Sequence, residues 1–115
     1  MAHNHAMQLP IHEVVRELVD LLGATTVAVI GGVKETRAVQ EWLGDRKPQK
    51  PHVLRFALQI ASMIAGSLDG EMAVAWFHGS NPLLGDSVPM LMLRDTPLEQ
   101  VQGQLLSAAR AFADR

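Results

Sequence analysis

A bend rich in glycine, asparagine and proline constrains this chain more than any other feature of its sequence. The residues from Ala75 to Leu93 read AWFHGSNPLLGDSVPMLML. Proline lacks a backbone N–H and its ring restricts the preceding residue, so a helix that carries the Trp76–Phe77 pair must end near His78. We interpret the bend as a shaped surface, with an ordinary helix–loop–helix corner as the alternative.

Capping residues predict two short elements inside this bend. Asn81 can cap a turn that has Pro82 at its first position. Asp86 or Ser87 can cap a helix that begins at Pro89 in the same way. Two sharp corners of defined chemistry are therefore expected within one short segment.

The spacing of apolar residues predicts an all-α fold. Pro10 opens a segment in which apolar residues recur every three or four positions as far as Leu22, and Gly23 is expected to end this helix in a left-handed conformation. Thr96 is predicted to cap the last helix, with Pro97 at its first position. The same spacing predicts helices over residues 54–68, 71–78 and 98–112, and the wide apolar stripe of the first of these predicts burial on more than one side.

The segment from Ala24 to Ile30 suits two structures. Its β-branched residues fit a strand, whereas Thr25 or Thr26 as a cap and the two glycines that follow fit a short helix. The neighbouring helices favour the helix, because two helices joined by a glycine-containing turn form a helix-turn-helix arrangement. Val33 would then be the buried residue of the turn.

Composition limits the class of protein. The chain has 115 residues, 48% of them hydrophobic, a formal net charge of −2 and no cysteine. This length and hydrophobicity support one folded core, and they exclude a disordered chain or a strongly basic one. Without cysteine there is no disulfide or thiolate metal site, and no apolar run approaches the ~18 residues that span a bilayer. We expect a cytoplasmic protein without contact to a membrane.

Basic residues are concentrated in one part of the chain. Residues 34–55 hold six of the ten basic residues and three acidic ones, which gives a local charge of +3 in a chain that is negative as a whole. Such asymmetry favours a surface that faces a polyanion, with a solvated helical surface as the alternative. The six basic residues are Lys34, Arg37, Arg46, Lys47, Lys50 and Arg55.

The first half resembles the helix-turn-helix of Xre-type repressors. The resemblance lies in the order Ala28, Gly32-Val33, Val39, Trp42, Gly44 and Pro48. It implies an Xre-like subdomain over residues 10–48, whose second helix approaches operator DNA, or a subdomain that has lost this ability. The residues expected to face DNA are Lys34, Thr36, Arg37, Gln40, Arg46 and Lys47.

The second half is similar to the toxin-binding domain of the Xre/MbcA/ParS antitoxin family. The matching positions are Trp76, Asn81, Pro82, Leu84, Gly85, Pro89, Leu91 and Leu93. This resemblance implies a helical toxin-binding domain over residues 51–115 in an antitoxin that forms homodimers, neutralises a NAD-consuming RES-domain toxin and represses its own operon. In some members the C-terminal tail enters the toxin, so Asp114 and Arg115 are added to the expected toxin-binding residues, which are otherwise Trp76, Asn81, Pro82, Leu84, Gly85 and Pro89.

The residues favour a binding protein over an enzyme. Catalysis needs converging groups, but His12, His52 and His78 lie in separate segments and Gly31-Gly32 lacks the spacing of a phosphate-binding loop. No cofactor is expected, and no metal site at His3 and His5, because no third ligand lies near them in the sequence. Residues 1–7 are interpreted as a frayed terminus or an addition to the native chain. The alternative function is a stand-alone helix-turn-helix regulator.

Apolar side chains at the bend are expected to supply most of the affinity for a partner protein. Buried aromatic and aliphatic anchors dominate the energetics of protein interfaces. The anchors predicted here are Trp76, Phe77, Leu83, Leu84 and Met90 or Met92.

Overall fold

The computed structural model describes residues 2–114, with side chains from residue 5 onward, and within this range the fold is all-α. This confirms the predicted fold class. The helices are α1 (Ala2–Gln8), α2 (Ile11–Leu22), α3 (Ala24–Gly31), α4 (Thr36–Trp42), α5 (Pro51–Ser67), α6 (Gly70–His78), α7 (Pro89–Asp95) and α8 (Leu98–Ala113), with a 3₁₀ turn at Pro82–Leu84. None of these helices is both long enough and apolar enough to cross a membrane.

Helix α5 is the centre of the molecule. Helices α1, α2, α3, α6 and α8 pack around it, and residues such as Leu54, Leu58 and Ile64 have no exposed surface. The prediction that this helix is buried on more than one side is confirmed. Pro51 lies at its first turn, where the missing N–H has no cost, and the helix ends before Asp69, whose side chain accepts a hydrogen bond from the Met72 N–H at 2.8 Å and caps α6.

Residues 24–31 form a helix, as the neighbouring segments indicated. The predicted cap is wrong, because Gly23 occupies the N-cap position at φ 85° and Thr26 lies inside the helix with 4% of its surface exposed. Gly23 can both end α2 and begin α3, since glycine adopts a positive φ without strain. Val33 in the following turn is half-buried against the core.

Helix α1 was not predicted from the sequence. Ala6 is fully buried, and the His5 Nε2 atom lies 2.9 and 3.0 Å from the two carboxylate oxygens of Glu17 on α2. At the other end of α1, the Arg55 guanidinium donates to the carbonyls of Ala6 at 3.0 Å and Leu9 at 2.6 Å. These contacts hold α1 against the molecule by polar groups, so hydrophobic periodicity could not reveal it. The expected frayed terminus is therefore wrong for residues 5–7, while His3 lies outside the described side chains.

One hydrophobic core joins the two halves of the chain. Its buried members include Val27 and Ile30 from α3, Leu58 from α5, and Phe77 and Leu105 from the second half. Helix α3 packs directly against α7 as well as against α5. The division into residues 10–48 and 51–115 stays a prediction, but the two parts share their interior.

Two predicted caps differ from the structure. Pro97, rather than Thr96, is the N-cap of α8, so the helix begins one residue later at Leu98. Val88 is the N-cap of α7, and neither Asp86 nor Ser87 contributes a side-chain cap. The second difference follows from the hydrogen bonds between Asn81 and residues 86–87, which hold Asp86 in a conformation unsuited to a cap.

Candidate functional site

Asn81 organises the bend that follows α6. Its side-chain oxygen accepts a hydrogen bond from the Leu83 N–H at 2.9 Å, which confirms that it caps the turn beginning at Pro82. Its backbone N–H donates to the Ser87 carbonyl at 3.0 Å, and its own carbonyl accepts from the Asp86 N–H at 2.9 Å. A single residue thus links both ends of the bend.

This closure explains why Asp86 does not cap α7. An N-cap residue normally has an extended backbone, whereas Asp86 has a φ of 66° and follows Gly85 at 64°. Two successive residues in the left-handed region reverse the chain and bring Ser87 opposite Asn81. Val88 then supplies the extended residue before Pro89, which occupies the first turn of α7.

A groove of about 480 Å³ lies between the end of α6, the bend and helix α8. Its lining is predominantly apolar and contains no charged residue. The lining residues are Ala75, Trp76, Gly79, Ser80, Asn81, Pro82, Leu83, Ala108, Ala111 and Phe112.

Leu83 is the most exposed large apolar residue of the described chain. Its exposed fraction is 66%, and the other exposed residue of this kind, Met7, lies on α1 with 56%. The 3₁₀ turn holds Leu83 at the rim of the groove, between the exposed Pro82 and the buried Leu84. Leu83 is continuous with the apolar lining of the groove, and contiguous apolar surface, unlike a lone exposed residue, is typical of binding sites.

The two aromatic residues before the bend have different roles. Their rings are perpendicular, with centroids 5.1 Å apart. Phe77 is fully buried in the core, so the prediction that it contacts a partner is wrong, whereas Trp76 lines the groove although only 4% of it is exposed. Adjacent residues on a helix point about 100° apart, which places one ring in the core and the other at the groove wall.

The Trp76 indole adds a buried polar atom to a lining that also contains the polar residues Ser80 and Asn81. Its Nε1 atom is buried and has no hydrogen-bond partner. Every other buried side-chain nitrogen or oxygen in the described part of the chain has one. A buried donor without an acceptor costs about 1–3 kcal/mol. The groove wall is therefore not optimised for the stability of the isolated chain.

The structure brings part of the predicted toxin-binding set together. Trp76, Asn81 and Pro82 line the groove, whereas Leu84 and Pro89 are buried beneath the bend. Burial makes the last two supports of the bend rather than contact residues, and the predicted anchors Met90 and Met92 are half-buried against the core. Gly85 and Asp114 are exposed outside the groove lining, and Arg115 lies outside the described residues.

Sequence reasoning missed the third wall of the groove. Ala108, Ala111 and Phe112 come from α8, which follows the bend and α7 in the chain. The helix that carries them was predicted over residues 98–112. Which element they would face depended on tertiary packing.

The basic residues of the first half are only partly available to a ligand. The six predicted DNA-facing residues are all exposed, and Lys34, Arg37, Arg46 and Lys47 border a hollow of about 490 Å³ beside α4. Arg46 pairs with Glu41 at 3.1 Å. The residues expected to face DNA, all on this exposed side, are Lys34, Thr36, Arg37, Gln40, Arg46 and Lys47.

Lys50 and Arg55 do not belong to this basic surface. The Lys50 ammonium donates to the Arg94 carbonyl at 2.9 Å, and Arg55 is occupied by the carbonyls of α1. The expected patch of six basic residues is therefore wrong in extent. Residues 34–47 contain the remaining four basic residues and three acidic ones, so the local excess of positive charge is small.

Ionic contacts elsewhere are exposed. Arg94 forms a bidentate ion pair with Asp95, in which its Nε donates to Oδ1 at 2.6 Å and its Nη2 donates to Oδ2 at 2.9 Å. The hydrogen bond from Arg94 lowers the pKa of the Asp95 carboxyl, and the same bond raises the pKa of the Arg94 guanidinium. Because both side chains face solvent, the pair adds little to stability.

Within the described residues, no three histidine, aspartate or glutamate side chains are grouped as metal ligands.

Comparisons with protein-family models, with curated proteins and with solved structures found no match for this chain. The geometry of the groove and of the basic surface is therefore the basis for a functional assignment.

Proposed function

We propose that this chain is the antitoxin of a toxin–antitoxin pair and neutralises a NAD-consuming RES-domain toxin by binding it at the groove beside Asn81. The observation that carries the proposal is the exposed Leu83 at the rim of a neutral, largely apolar groove. In this proposal the chain acts in the cytoplasm, as a homodimer, without a cofactor or chemistry of its own.

The composition of the groove supports binding of a protein. Interface cores are depleted in charge and rich in aromatic residues, and Trp76 and Phe112 both line this groove. The bend adds rigidity, because Asn81 links its two ends by hydrogen bonds. A surface that is already ordered loses less conformational entropy when a partner binds.

Co-expression with the product of the adjacent gene tests the proposal. We expect a stable complex, protection of cells from the toxin, and loss of NAD consumption by the toxin when the chain is added. A neighbouring product without a RES-like domain and without toxicity would contradict the proposal.

A second candidate function, binding of operator DNA, rests on the exposed basic residues around α4. Phosphate contacts release counterions, so the affinity for upstream DNA should fall steeply with added salt. We expect weak binding, because Glu35, Glu41 and Asp45 lie in the same segment. As a stand-alone regulator, the chain would bind this DNA without any toxin.

Substitution of Lys34 or Arg37 tests the DNA-binding candidate. Alanine at either position should weaken binding severalfold and reduce the slope of log affinity against log salt by about 1, since one phosphate contact is lost. Arg110→Ala, at an exposed position on α8, is the matched control and should leave the slope unchanged. The measurement is fluorescence anisotropy with a labelled duplex, and an affinity independent of salt would exclude this function.

A further inference from the structure

A hydrogen bond connects helix α3 to the end of helix α6, immediately before the bend. The Thr26 hydroxyl and the His78 Nε2 atom are 2.7 Å apart, although they are separated by 52 residues in the chain. Thr26 belongs to the first helix of the helix-turn-helix-like segment. His78 is the last residue of α6 and precedes the groove residues Gly79 and Ser80.

The Thr26 end of this bond is in the interior. Thr26 is 4% exposed and is the one buried polar residue in the described part of the chain. A buried hydroxyl that loses its partner has a desolvation cost, so the native structure favours keeping His78 in place. The His78 end is exposed, and its backbone is the point from which the chain turns into the bend.

We propose that Thr26 is a positioning residue for the groove: through its hydrogen bond with His78 it fixes the end of α6 and thereby the bend from Gly79 to Ser87. Helix α3 would then serve two surfaces, because the turn that follows it leads to α4, beside which the exposed basic residues lie. The packing of α3 against α7, which follows the bend, is consistent with this role.

This proposal extends the proposed function. It rests on that function in one respect, namely that the bend is the surface that binds a partner. The physical claim concerns the isolated chain. It predicts that the bend opens locally, and that the frequency of opening is set by a side chain in the other half of the molecule.

Amide hydrogen exchange of the full chain, followed by NMR, tests this claim. The readouts are the N–H groups of Asn81 and Asp86, which donate hydrogen bonds within the bend, and the reference is the buried part of α5. In the parent protein the bend amides should exchange faster than those of α5. Thr26→Val keeps the shape of the side chain but removes its hydroxyl, and should accelerate exchange at the bend by roughly fivefold.

Three variants complete the experiment. Thr26→Ser keeps the hydroxyl and should retain the exchange rates of the bend, whereas His78→Ala removes the other partner at an exposed position and should reproduce the effect of Thr26→Val. Thr25→Val makes the same chemical change at an exposed neighbour on α3 and should have no effect.

Two results would overturn the proposal. One is an unchanged exchange rate at Asn81 and Asp86 in Thr26→Val and His78→Ala. The other is a single common exchange rate for the bend and α5 in the parent protein, because the bend would then have no opening of its own. Since no toxin or DNA is present in the experiment, its outcome is independent of whether the proposed function is correct.

Discussion

Leu83→Asp is expected to abolish partner binding while leaving the fold intact. The side chain is 66% exposed at the rim of the groove, so a carboxylate there faces solvent in the free chain and costs little. In a complex, the same carboxylate would be buried against an uncharged surface without a partner. A charge left buried and unpaired in an interface costs about 2 kcal/mol or more, so affinity for the proposed toxin should fall at least about 30-fold by isothermal titration calorimetry.

Met7→Asp is the matched control for this substitution. Met7 is the other exposed large apolar residue of the described chain, with 56% exposure, and it lies on α1 outside the groove. The control should bind the toxin with the affinity of the parent chain. Equal losses in both variants would mean that general surface hydrophobicity, and not the groove, determines the affinity.

Gly31→Ala should destabilise the protein by about 1–3 kcal/mol, the usual cost of overpacking a core. A β-carbon at this position would lie 2.6 Å from the Cη2 atom and 2.8 Å from the Cζ3 atom of Trp42. Trp42 is 4% exposed and packs in the core, so relieving this overlap requires packed groups to shift. The clash would separate α4 from α3, and urea denaturation should show the loss as a lower midpoint.

Gly103→Ala makes the same change where there is room for it. A β-carbon there has no neighbour within 4 Å, and the residue is exposed within α8. Replacing a helical glycine by alanine should stabilise the protein by roughly 0.5–1 kcal/mol. If Gly31→Ala were equally stabilising, the close packing of α3 on Trp42 would be wrong.

The regular part of the fold could be predicted from the sequence because its helices are amphipathic. Apolar spacing located α2, α5, α6 and α8, and proline at the first turn marked where α7 begins. The turn at Asn81 was also predictable, since the side-chain oxygen and the following proline act locally. Local chemistry therefore determines the bend as far as Leu84.

The site as a whole depends on contacts between distant segments. Phe112 completes the groove from the last helix, and the burial of Phe77 follows from the packing of α6 on α5. Arg55 was assigned to a basic surface because its charge was counted without its partners, the carbonyls of α1. Contacts between distant segments leave no regular spacing in the sequence, so the sequence pattern could not reveal them.

Hydrogen exchange of the complex with the toxin tests the central claim most directly. Mixed with the product of the adjacent gene, proposed to be the toxin, the chain should gain protection in two segments that meet at the groove, residues 75–83 and 108–112. Protection confined to the basic surface of residues 34–47, or the absence of any complex, would contradict the claim that this groove binds and neutralises a toxin.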